Sequence, residues 1–281
     1  IFGPFYASGF KTISKKAREL HIPIVSPITQ QNKILYNNIY ISKTNPSQFT
    51  LLESLADYCI DSLKQSNSHV IIASFEKDKK GNQFVNAFRK YYNEKQKSLG
   101  KSIKDTISLV KGIEGVKRSY VANAKNVVII LSNSQVEVVD FITQLAVFSD
   151  KKDVVLFGWQ SISEMEVLDQ AYLNNLSFTF PHQYNLTNVI SYTPLIDSYR
   201  LQQETSSPSE YFFIGFDISF YYLKNLRELG PDFIHTLNTL PFETNYMRFK
   251  YARPDNITGY DNRGVYIFRY QDYKLVKTGW K

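Results

Sequence analysis

Residues 126–160 read NVVIILSNSQVEVVDFITQLAVFSDKKDVVLFGWQ, and the order of their patterns decides the fold class. NVVIILS is a continuous apolar run, shorter than a helix needs and bounded by polar turn residues, which makes it a strand buried on both faces. VEVVDFITQLAVFS carries apolar residues at helical spacing, and DVVLFGW is a second apolar strand. A strand, a helix and a strand in that order form a parallel crossover unit. A sheet built from such runs needs helices on both sides.

The same alternation continues on both sides of this segment. Before it come a helix from about Ser8 to Leu20, the strand HIPIVSP, the strand NIYIS, and NPSQFTLLESLADYCIDSL as a helix capped by Ser47 or Asn45. SHVIIASF and KDTISLV then read as strands, with GNQFVNAFRKYYNEKQ and EGVKRSYV as helices. After the segment, EMEVLDQAYL reads as a helix and LSFTFP as a strand. From Val189 to Leu229 two helices follow one another without a strand, and Gly230 with Pro231 supplies a stop. Beyond Leu240, MRFKYAR, GVYIFRY and YKLVKTGW read as an antiparallel finish. The class is α/β with largely parallel sheets.

Composition narrows the function. A chain of 281 residues is long enough for two lobes, and no apolar run approaches the roughly 18 residues of a spanning helix. The net charge of +7 raises the question of a nucleic-acid partner. Its carriers are dispersed: Lys15, Lys16 and Arg18 on one helix, Lys77, Lys79 and Lys80 in a loop, Lys117 and Arg118 on a short helix. That distribution describes solvated faces and argues against nucleic acid. The single Cys59 lies on the inner stripe of its helix as a small hydrophobe.

No catalytic, metal or cofactor motif is present: neither G-x-S-x-G, H-E-x-x-H, C-x-x-C nor G-x-G-x-x-G occurs, and GKS at Gly100–Ser102 lacks the earlier glycine of a phosphate loop. The histidines His21, His69, His182 and His235 are scattered. No enzyme and no cofactor is expected. In open parallel sheets ligands sit beyond the carboxyl ends of the strands. That rule selects five loops: GPFYASG, SPITQQ, FEKDKKG, SNSQ and GWQS. Two of them lead into helices at Ser8 and Gln135, where free N–H groups suit an anion, although Ser8 and Ser134 equally suit plain N-caps.

The order GPFYASG, helix, IPIVSPIT, IYISKTNPSQ, helix, VIIASFEKDKKGNQF, VVIILSNS, VVLFGWQS, YFFIGFDISFYYLKNLRELG and NRGVYIFRYQDYKLV resembles the type 1 periplasmic-binding-protein fold. The similarity is greatest to binding proteins for branched-chain amino acids and the related receptor ligand-binding domains. The chain also resembles a set of Bacteroidetes envelope proteins in which such a domain accompanies LysM modules. The resemblance implies two α/β lobes joined by three crossovers, near Thr44–Pro46, Phe180–Asn185 and Pro254–Asn262, with the ligand in the interlobe cleft. Lobe 1 is then residues 1–44 with 186–254, and lobe 2 residues 45–185 with 255–281. Lobe 1 would lack the βα units that precede the Gly-Pro turn in the family.

Carried over residue by residue, the resemblance implies that Ala7, or Ser8 with a one-residue slip, binds a ligand carboxylate with Ile28 and with Gln30 or Thr29. Lys80 and Asn133 stand where the family has aromatic residues, and Gln160 stands where it has the acid that holds an ammonium. Because a buried ammonium without an anion is costly, Gln160 argues against a free α-amino acid. The implied function is a non-catalytic, extracytoplasmic binding protein for a small polar ligand. Its implied partner is a membrane transporter. The alternative is an interaction scaffold at the cell envelope, associated with peptidoglycan. Either implies a periplasmic or envelope location.

Overall fold

The computed structural model describes residues 1–63, 67–100, 107–150, 152–187, 193–203 and 208–278. The chain divides into two compact units, Ile1–Thr50 with Gln183–Tyr266 (unit 1) and Leu51–His182 with Ile267–Lys281 (unit 2). It therefore passes between units three times, after Thr50, His182 and Tyr266.

Unit 1 is built on four strands, β1 (Ile24–Ser26), β2 (Ile41–Lys43), β10 (Tyr251–Ala252) and β11 (Tyr260–Asn262), in the order β1-β2-β11-β10. β1 and β11 both run parallel to β2, and Phe2 forms a parallel bridge to Val25 beside β1. Alternation along β1 sends neighbouring residues to opposite faces. Ile24 packs with Phe10 and Ala17 of helix α1 (Ala7–Glu19), together with Leu35 and Ile41. Val25 packs on the other face with Ile214, Ile218, Tyr221 and Tyr222 of helix α8 (Glu210–Leu229). That second core is strongly aromatic, with Tyr221 stacked on Phe249 at 4.2 Å.

Three buried polar groups of unit 1, Tyr222, Asp217 and Lys43, are each paired, as burial requires. Tyr222 OH donates to Ser42 Oγ at 2.6 Å and lies 2.7 Å from Tyr251 OH. Asp217 on α8, 1% exposed, accepts from Thr244 Oγ1 and from the backbone N–H groups of Tyr246 and Met247. Lys43 is fully buried and forms an ion pair with Asp261 on the neighbouring strand at 2.6 Å.

Unit 2 holds a seven-stranded sheet. Its strands are β3 (Ser68–Ser74), β4 (Ile107–Lys111), β5 (Lys125–Ile130), β6 (Val154–Phe157), β7 (Thr179–His182), β12 (Tyr266–Gln271) and β13 (Lys274–Thr278). The order is β13-β12-β7-β6-β5-β3-β4. The pairs from β4 through β7 are parallel, and β12 with β13 is antiparallel. Val127 to Ile130 are all inaccessible, so both faces of β5 are covered. The buried residues of α3 (Lys79–Ser98) include Phe84, Val85, Phe88 and Tyr92, and those of α5 (Gln135–Phe148) are Val138, Phe141, Ile142 and Leu145. These sets recur at helical spacing.

Three local expectations are corrected. Lys79 and Lys80 are not in a loop but open α3, because Asp78 caps that helix by accepting from Gly81 N–H at 2.8 Å. The stretch from Glu164 forms turns, and helix α6 begins only at Gln170, where Asp169 caps it. Helix α1 starts at Ala7 with Tyr6 at the N-cap, so Ser8 lies inside the helix and caps nothing. The antiparallel finish holds, with β12 paired to β13 and β10 to β11, and β11 in turn returns to join β2 in parallel. Gly259 permits that return, because a Cβ there would lie 2.4 Å from the Ile41 carbonyl.

Candidate functional site

The carboxyl ends of the parallel strands carry a loop cluster in each unit, where strand ends leave backbone groups and side chains free for a ligand. In unit 1, residues 27–31 follow β1 and residues 44–47 follow β2. The two loops are tied together: Thr44 Oγ1 donates to Pro27 O at 3.0 Å, and Asn45 Nδ2 donates to Ile28 O at 2.8 Å. Tyr184 OH donates to Asn45 Oδ1 at 3.0 Å, and burial raises the Tyr184 hydroxyl above its ordinary value while that bond opposes the shift. Gln30 Nε2 donates to Gln183 Oε1 at 2.9 Å. Ser47 Oγ accepts from Thr50 N–H at 3.1 Å and so caps α2 (Gln48–Ser62).

Ile28, Thr29 and Gln30 line one cavity of about 1040 Å³, together with Tyr36, Phe49 and Tyr211. The three rings are 63%, 54% and 65% exposed. Gln31, Gln48 and Gln183 also line it, as do one cation, Lys33, and one anion, Glu210. The cavity is thus walled by aromatic faces and side-chain amides, with its two charges of opposite sign. Ser8 is exposed and does not line this cavity, whereas Ala7 opens α1.

In unit 2, Lys80 and Asn133 line a cavity of about 500 Å³ between the starts of α3 and α5, with Lys77, Asp78, Ser134 and Glu137. Gly81 is required there, since a Cβ would approach the Leu131 carbonyl to 2.9 Å. Asn133 Oδ1 accepts from Ser161 Oγ at 2.8 Å, and Ser134 N–H donates to Ser132 Oγ at 3.1 Å. Ser134 is the N-cap of α5, but its side chain makes no capping bond. Gln160 does not line this cavity. Its amide donates to Glu164 Oε1 at 2.7 Å, so a carboxylate stands one hydrogen bond away from the position where the family resemblance places an acid.

Among the cavity-lining residues that escaped the sequence reading are Tyr36, Phe49, Gln183, Glu210 and Tyr211. They come from segments that are distant in sequence, and neither period nor motif marks them. Among the described residues no group of three or more His, Cys, Asp or Glu is placed to hold a metal ion, and no helix is long and apolar enough to cross a membrane.

No family model matches the sequence, and no curated protein matches it. Solved structures do match its fold. An ABC transporter substrate-binding protein from Desulfitobacterium hafniense, in complex with Leu, aligns over 99% of this chain and 79% of its own at 15% identity, with a TM-score of 0.54. A branched chain amino acid ABC transporter periplasmic ligand-binding protein from Burkholderia xenovorans aligns over 99% of this chain and 76% of its own at 10% identity, with a TM-score of 0.63. Full-length LpoA from Haemophilus influenzae aligns over 99% of this chain and 47% of its own at 12% identity, with a TM-score of 0.54. The fold is the two-lobe type 1 periplasmic-binding-protein fold, as the sequence resemblance implied.

Proposed function

We propose that this chain is a non-catalytic, extracytoplasmic solute-binding protein that holds a small polar ligand and delivers it to an ABC-type membrane transporter. The observation that carries the reading is the unit 1 cavity at the carboxyl ends of β1 and β2, which is where parallel sheets bind ligands. Thr29 and Gln30 are its polar contacts and Ile28 its apolar one, while Lys80, at the start of α3, and Asn133 line the separate cavity of unit 2. Gln160 contributes through its bond to Glu164. Ala7 and Ser8 keep a place in this reading only as the turn into α1. The location that follows is the periplasm or the cell envelope.

Thermal unfolding of the full chain against a library of amino acids, peptides, saccharides and muropeptides tests the reading. A ligand at 100 times its Kd adds about 2.7 kcal/mol to stability. A shift that is lost in a Thr29→Ala, Gln30→Ala variant supports the assignment, and a library without a single shift overturns it.

One observation favours a second reading, a scaffold in the cell envelope associated with peptidoglycan, as in proteins that carry LysM modules. Helix α8 exposes Phe216, Phe220 and Leu223 at 41%, 46% and 54%, along one helical stripe. Retention on purified peptidoglycan that Phe220→Asp abolishes would support it.

A further inference from the structure

The chemistry of the unit 1 cavity narrows the ligand further, and the argument rests on the binding-protein reading above. A free-standing protein does not gain by exposing three large aromatic rings on one concave surface. Tyr36, Phe49 and Tyr211 are all more than half exposed there, and they come from three separate segments. Flat rings with a negative π face suit a partner that offers flat, weakly positive C–H surfaces.

The polar lining specifies the rest of that partner. A side-chain amide is both donor and acceptor. The bond from Gln30 Nε2 to Gln183 Oε1 leaves Gln30 Oε1 as an acceptor and the Gln183 amide NH2 as a donor in the same pair. Such a pair matches neighbouring hydroxyls, each of which both gives and accepts a proton. The charges match no ion: Lys33 and Glu210 oppose one another in sign and both are exposed, so neither a carboxylate nor an ammonium would gain much from them. The volume of about 1040 Å³ lies at the upper end of small-molecule sites, which run from roughly 300 to 1,000 Å³.

We infer that the unit 1 cavity binds a neutral oligosaccharide, with pyranose faces stacked on Tyr36, Phe49 and Tyr211 and hydroxyls held by the Gln30–Gln183 amide pair. A sugar ring carries an apolar C–H face and a rim of hydroxyls, which is the complement of this lining. A free amino acid presents two charges and little flat surface.

Isothermal titration of the full chain tests this with two panels, cellotetraose and chitotetraose in one, and leucine, glutamate and alanyl-alanine in the other. The expected result is saturable binding of at least one tetrasaccharide, weakened about tenfold or more by Tyr36→Ala and by Tyr211→Ala. Both rings are largely exposed, so these variants keep the fold, and Val147→Ala, at an exposed position of α5 outside the cavity, leaves the affinity unchanged. Binding of the amino-acid panel alone overturns the saccharide inference and leaves the binding-protein reading standing. Tetrasaccharide binding that is indifferent to both tyrosines overturns the site. No heat with either panel overturns the inference, and a flat thermal-shift library in addition overturns the reading beneath it.

Discussion

Replacing Lys43 with methionine removes an ammonium that is inaccessible to solvent and 2.6 Å from Asp261 Oδ1. The same ammonium donates to the Asn45 carbonyl, at the base of the cavity loops. Burial pulls Lys43 below the ordinary 10.5, and the Asp261 carboxylate opposes that shift, so the pair is held by mutual compensation in a dry setting. Without Lys43, Asp261 keeps the bond from Thr50 Oγ1 at 3.3 Å but loses its closest cation. Removing one partner of a buried pair costs about 3–5 kcal/mol. Arg263 is near enough to act on Lys43 and adds positive field at the site, which places the expected loss at about 3 kcal/mol, the lower end of that range. With an m-value of about 3 kcal/mol per molar urea, the midpoint falls by roughly 1 M. Urea unfolding followed by far-ultraviolet circular dichroism reads that change. Adding Asp261→Asn to the Lys43→Met background removes the stranded charge and should restore most of the loss. A loss below about 1 kcal/mol, or a double variant no better than the single one, would show that the pair is not a coupled buried unit.

Two further outcomes follow from the packing. Burial raises Tyr92 and Tyr246 to about 12, and raises Tyr221, Tyr222 and Tyr251 as well. Their folded values exceed the unfolded 10, so this stability is complete below pH 10 and is lost as pH climbs through the folded values. Urea midpoints should fall from pH 10 to 12, with these five phenols ionising only as the chain unfolds; their ionisation at pH 10 in the folded chain would contradict it. Glycine substitutions should split by surroundings: Gly264→Ala places a Cβ 1.9 Å from the Arg248 carbonyl and should cost about 1–3 kcal/mol or more, whereas Gly215→Ala on α8 meets nothing within 4 Å and should gain about 0.5–1 kcal/mol. Melting temperatures that move in the same direction for both would refute this account.

The sheet of unit 2 was legible because its strands are apolar on both faces. Val127 to Ile130 leave no polar alternative, and only a covered parallel strand satisfies such a run. The short strands of unit 1 gave a weaker signal, since three residues such as Ile41–Lys43 hold too little of a period and even include a buried lysine. Lys43 reads as a solvated charge until Asp261, more than two hundred positions later, is placed beside it. The offset at Ala7 and Ser8 has a local cause: Tyr6 takes the N-cap without offering a side-chain acceptor, a choice that no capping rule selects. The cavity rings were illegible for another reason. The sequence holds 20 tyrosines and 20 phenylalanines, and nearly half of these positions are buried in the core. What separates Tyr36, Phe49 and Tyr211 from Tyr221 or Phe249 is exposure, which only the tertiary arrangement determines.

That exposure has a thermodynamic consequence when it is combined with the loop bonds. The loops after β1 and β2 fix their own backbone through Thr44, Asn45 and Tyr184, so a ligand need not order them. The cost of immobilising loops and side chains, about 0.5–1.5 kcal/mol for each mobile side chain, is largely met during folding. A preformed surface retains its shape when empty, at the expense of leaving its rings in water. The buried Lys43–Asp261 pair lies directly beneath these loops, through the bond to Asn45 O, and so supports the same surface. Weakening that pair should therefore reduce ligand affinity as well as stability, even though neither Lys43 nor Asp261 lines the cavity.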